Sequence, residues 1–115
     1  MSARADRLSG AGARHLRDRL SAITGHTLAE VRITRVSWPE GLRWVATTLA
    51  VDSRAVRGRR EVPLTEAGQH RTIALLLRDT FPHANWAQAQ DYDVAAGVLR
   101  EHTVRLPTCL TGDAL

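Results

Sequence analysis

The chain has 115 residues, of which 43% are hydrophobic and 24% charged, with three Trp, one Tyr and one Phe; this composition belongs to one globular domain with an aliphatic core and excludes a disordered chain. A single cysteine, Cys109, excludes an internal disulfide and a cysteine-based metal knuckle, and the longest apolar run, Ile73 to Leu77, falls far short of a membrane span. The net charge is +4 with no lysine, and residues 1–60 hold twelve of the sixteen arginines against five acids, an asymmetry that points to an anionic partner for the first half.

Residues 1–12, with Gly10 and Gly12, read as a flexible N-terminal arm, residues 13–106 as one α+β domain, and residues 107–115 as a weakly ordered tail. In GARHLRDRLSAITGH the apolar residues Leu16, Leu20 and Ile23 recur at i, i+4, i+7, which predicts a helix. Gly25 is placed to end it.

The stretch LAEVRITRVSWPEGLRWVATTLAV reads as a β-hairpin. Pro39 and Glu40 suit a right-handed turn and Gly41 the left-handed position after it, the common three-residue loop. That loop pairs Trp38 with Leu42, Val36 with Trp44 and Thr34 with Ala46. Val31, Ile33, Val45, Thr47, Leu49 and Val51 then form an aliphatic face against the helices, because side chains alternate along a strand.

After SRAVRGRREV comes a short strand over 61–64, confined to a sheet edge by Pro63. Thr65 is the expected N-cap of a second helix through EAGQHRTIALLLRDTF, with His70, Ile73, Ala74, Leu77 and Phe81 on one side and Pro82 as its stop. DYDVAAGVLREH reads as a second hairpin around AAG, pairing Val94 with Val98 and Tyr92 with Arg100; a helix is the alternative. The fold class is thus α+β, in the order α-β-β-(β)-α-β-β, with antiparallel hairpins packed against two helices. The order of the first five elements resembles that of the double-stranded-RNA-binding domain, but the basic cluster that opens the second helix of such domains is here TEAGQH.

No HExxH, GxSxG, GxxxxGK or GxGxxG occurs. An enzyme would instead have to bring His83 beside Asp91 or Asp93, show a pocket with His83 or His102 beside an acid, or activate Cys109 with His102. We expect a non-enzymatic protein with no cofactor, metal or small-molecule substrate. The N-terminus lacks the apolar stretch of a secretory signal, so a cytoplasmic protein is expected.

The residues expected to contact nucleic acid, DNA rather than RNA, are Arg14 and Arg17 of the first helix, Arg32, Arg35 and Arg43 of the hairpin, and Arg54, Arg57, Arg59 and Arg60 of the loop. The Arg fork pairs bidentately with phosphate. Trp38, Leu42 and Trp44 near the hairpin turn are expected to stack on a base or, alternatively, to form an exposed apolar face for a protein partner or a homodimer.

Overall fold

The computed structural model describes residues 5–54 and 58–102, with the backbone alone at Ala5, Trp38 and Ala67. Eight elements follow one another: β1 (Ala5–Arg7), α1 (Gly10–Thr24), β2 (Leu28–Trp38), β3 (Gly41–Val51), β4 (Arg59–Val62), α2 (Ala67–Thr80), β5 (Gln90–Asp93) and β6 (Val98–Glu101). The strands form one antiparallel sheet in the order β1-β6-β5-β2-β3-β4. The α+β class and the expected order hold, with one addition. Residues 5–12, expected as part of a flexible arm, supply β1 and the start of α1, because Ala5 to Arg7 find a partner strand in β6.

Local chemistry sets the helix ends. The Ser9 hydroxyl accepts the Gly12 N–H at 3.1 Å, and Gly25, at φ 75°, donates to Ser21 O at 2.8 Å. The cap of α2 is Glu66, not the expected Thr65. The cause is Gln69, whose Oε1 accepts the Glu66 N–H at 3.0 Å while its Nε2 donates to Ile23 O at 3.0 Å. One side chain therefore starts α2 and ties it to the end of α1.

Leu16 and Leu20 of α1 and Ile73, Ala74 and Leu77 of α2 are buried against Val31, Ile33, Ala46, Ala50, Tyr92 and Leu99 of the sheet. Each buried Leu, Ile or Val among them contributes about 1.5–3 kcal/mol. Both helices cover the same face and leave the other open.

The first hairpin corrects the expected register. Trp38 pairs with Gly41, Ser37 with Leu42, Arg35 with Trp44 and Ile33 with Ala46, so the loop is Pro39–Glu40 and Gly41, at φ 127°, belongs to the strand. A one-residue shift turns every side chain of β3 over. Leu42, Trp44, Ala46, Thr48 and Ala50 therefore lie on the helix side, and Val45, Thr47, Leu49 and Val51 on the open side. The buried Thr48 is satisfied by donating to Val62 O at 2.7 Å. The last third is a hairpin, as expected, but its register is also shifted. Asp93 pairs with Val98 and Tyr92 with Leu99 around the turn 94–97. Asp93 closes that turn by accepting the Ala96 N–H on its carboxylate at 3.1 Å and the Gly97 N–H on its carbonyl at 2.8 Å. The third strand lies at a sheet edge, as expected, but it spans Arg59–Val62 rather than 61–64, so Pro63 follows it instead of lying within it.

Candidate functional site

Among the described residues, the arginines expected to contact nucleic acid do not gather into one cluster. Arg14 and Arg17 lie on α1. On the open face, Arg59 donates to Glu30 at 3.0 Å and Arg32 to Asp91 at 2.8 Å. Arg60 points from the other side of β4 and sits 3.4 Å from Asp52. Arg35, on the helix side, lies over the Trp44 ring at 5.3 Å from its centroid, and Arg43 is on the open side. Arg54 is exposed, its backbone N–H donated to the Asp52 carboxylate at 2.9 Å. Arg57 lies outside the described residues, as do Cys109 and the expected tail, and so does the Trp38 side chain. Of the loop arginines expected to act as one hand, Arg59 and Arg60 thus point to opposite faces, each beside an acid.

The open face carries an ionic network over β2, β5 and the end of β6. Asp91 is held between Arg32 Nε at 2.8 Å and His102 Nδ1 at 2.7 Å. A cavity of about 420 Å³ beside it is lined by Glu30, Arg59, Asp93 and Arg100 as well as this pair. It does place a histidine beside an acid, the arrangement expected of an enzyme. Among its described lining residues there is no hydroxyl or thiol to serve as a nucleophile. The geometry accounts for a cross-strand clamp: one carboxylate accepting charge-assisted bonds from two strands. Among the described residues no group of three or more His, Cys, Asp or Glu is placed to hold a metal ion, and no helix is long and apolar enough to cross a membrane.

A different site emerges at the far end of the first hairpin. β5 accompanies β2 only as far as Ile33, and β4 accompanies β3 only from Thr48. Among the described residues, 34–47 therefore form a two-stranded ribbon whose outer edges pair with no other strand. The outer edge of β3 is partly capped: the Ala46 N–H donates to His70 Nδ1 at 3.0 Å. To accept this bond the imidazole keeps its lone pair on Nδ1 and its proton on Nε2. Because Ala46 points its backbone groups away from β2, the alternation of an antiparallel ladder points those of Trp44 and Leu42 the same way.

Beside this edge lies a groove of about 380 Å³ formed by Leu42, Arg43, Trp44, His70 and Arg71. Leu42 is 61% exposed. Trp44 is half-buried and meets Trp86 edge to face, centroids 6.3 Å apart at 78°, while the Trp86 indole donates to Phe81 O at 2.9 Å. Trp44 is thus a fixed wall and Leu42 a free apolar knob. Leu42 and Trp44 were legible as candidates; His70 and Arg71 were not, because their role depends on α2 crossing the ribbon. The chain matches no protein-family model, and comparison with curated proteins and with solved structures gives no significant match.

Proposed function

We propose that the protein is an interaction module that captures an extended segment of a partner protein along the outer edge of β3. The observation that carries this reading is the coincidence of an unpaired strand edge, at Leu42 and Trp44, with an apolar groove beneath it. A strand added there gains main-chain hydrogen bonds from the edge and specificity from alternate side chains entering the groove. Arg43, His70 and Arg71 line the groove with no acid among them, and Arg35 stands over Trp44. The favoured segment is therefore one that alternates apolar and acidic residues. A second copy of the chain is disfavoured, since two tips placed together would oppose arginines to arginines. Nucleic-acid contact through Arg59 and Arg60 draws no support from the geometry, because they are paired with Glu30 and Asp52 on opposite faces.

The test is selection of peptides from a random display library on the immobilised protein. Enriched peptides are expected to carry acidic and apolar residues at alternating positions and to lose binding when Leu42→Asp is introduced. Enrichment that is indifferent to Leu42→Asp, or no enrichment, overturns the reading. A mass that doubles with concentration in sedimentation, and reverts in Leu42→Asp, would replace the partner segment by a second copy.

A further inference from the structure

At the opposite end of the sheet, three arginines share one cleft. It has a volume of about 470 Å³ and lies where β1 passes into α1, with Arg7, Arg14 and Arg17 on its walls and the turn 94–97 closing it. Its position follows from two backbone features. The Leu8 N–H donates to Gly97 O at 2.8 Å, which fixes the start of α1 to that turn. Gly97, at φ 68°, then lets the turn approach so closely that a Cβ there would stand 2.8 Å from the Ala13 Cβ. The floor of the cleft is therefore rigid and apolar, supplied by Leu8, Ala13 and Ala95.

The charges are unbalanced. Among the described residues no carboxylate lines the cleft. Among the described residues neither Arg7 nor Arg14 has an ion-pair partner, and Arg17 has only an exposed contact with Asp18 at 3.7 Å. The first turn of α1 contains no acid either. Three guanidinium groups that share one exposed carboxylate repel one another, and a multivalent anion reverses the sign of that interaction. Arg forks match oxyanions bidentately, which favours phosphate over a halide, and three forks call for more negative charge than a single carboxylate carries.

We infer that this cleft is a phosphate-binding site, with Arg7, Arg14 and Arg17 as its ligands. The phosphates come either from a small polyphosphate or from a nucleic-acid backbone, and both present closely spaced oxyanions to an open cleft. The site is independent of the groove at the ribbon tip.

The experiment is calorimetry with inorganic triphosphate and, in parallel, anisotropy of labelled duplex DNA, each at low and at raised salt. The comparison is between the wild type, Arg7→Ala/Arg14→Ala and the charge-matched control Arg54→Ala/Arg78→Ala. The expected result is salt-sensitive binding of at least one probe that falls about tenfold or more in the cleft variant and less than about twofold in the control. Binding of duplex with that pattern assigns the phosphates to nucleic acid; binding of triphosphate alone assigns them to a small ligand. Equal losses in the two variants mean bulk charge and overturn the site, as does absence of binding to both probes at low salt. Circular dichroism of both variants guards against unfolding, and Arg7→Lys/Arg14→Lys, which keeps the charge but loses the fork, is expected to recover only part of the affinity.

Discussion

Tyr92 shows how one buried group ties stability to pH. It is fully enclosed by the core, its ring 5.6 Å from that of Phe81, and its hydroxyl has no hydrogen-bond partner among the described residues. Burial, and after it the neighbouring Asp93 charge, pushes the hydroxyl up to about 12 from its ordinary 10.0. The unfolded chain thus releases this proton near pH 10 while the folded chain holds it. Stability is full below pH 10 and falls as the pH rises from about 10 to about 12. Tyr92→Phe is expected to gain about 1–2 kcal/mol in denaturant unfolding at neutral pH, by removing an unpaired buried hydroxyl, and to lose this alkaline sensitivity. Because Tyr92 is the sole tyrosine, tyrosinate absorbance follows it alone. A second residue-scale expectation concerns Gly97: Gly97→Ala should cost about 2–4 kcal/mol, through its positive φ and the contact with Ala13, and Ala13→Gly in the same chain should restore part of that loss.

At the scale of elements, periodicity was enough to reveal both helices and both hairpins, since Leu16, Leu20, Ile73 and Leu77 repeat at helical spacing and Gly41 and Gly97 mark turns. Register was not legible. The expected three-residue loops at Pro39–Gly41 and Ala95–Gly97 are instead a two-residue and a four-residue turn. In the first hairpin β3 is apolar on both faces, with Ala46 and Ala50 on one and Val45, Leu49 and Val51 on the other, so hydrophobicity alone could not decide which face meets the helices. β1 went unseen for a related reason: three residues with no apolar alternation become a strand only because β6 offers an edge. The observed register can be checked by cross-linking in a Cys109→Ser background. Ser37→Cys/Leu42→Cys occupies directly opposite positions of the non-hydrogen-bonded kind, about 4.5 Å apart at Cα, and should oxidise to an intramolecular disulfide. Val36→Cys/Trp44→Cys, directly opposite in the three-residue register, should not, because in the observed register those side chains point to opposite faces. The reverse outcome would restore the three-residue loop.

The whole molecule is a single sheet with a functional candidate at each end. Asp93 pairs with Glu30 at the start of β2, which sets the turn 94–97 and the arginine cleft at the end remote from the ribbon tip. The asymmetry of charge along the chain was legible; its distribution in space was not. Arg32, Arg59 and Arg60 belong to ion pairs with Asp91, Glu30 and Asp52, and for Arg32 and Arg59 the acid comes from a strand that sequence order keeps far away. Arg7, unremarkable in the sequence, gains its importance from the edge pairing that brings it beside Arg14. The open face is held by the Asp91 clamp, and Asp91→Asn should destabilise the fold by about 1–2 kcal/mol in thermal or denaturant unfolding by weakening its charged bonds to Arg32 and His102. Leu42→Asp, at an exposed position, should leave stability within about 0.5 kcal/mol.

Capture of an extended segment by the edge of β3 is tested most directly by amide hydrogen exchange of the protein with and without a selected peptide. Pairing at the edge is expected to slow exchange at Leu42 and Trp44, whose N–H groups point outward, and to leave Arg43 and Val45, which point to β2, unchanged. Protection that appears elsewhere, with Leu42 and Trp44 exchanging as in the free protein, would contradict edge pairing as the mode of recognition.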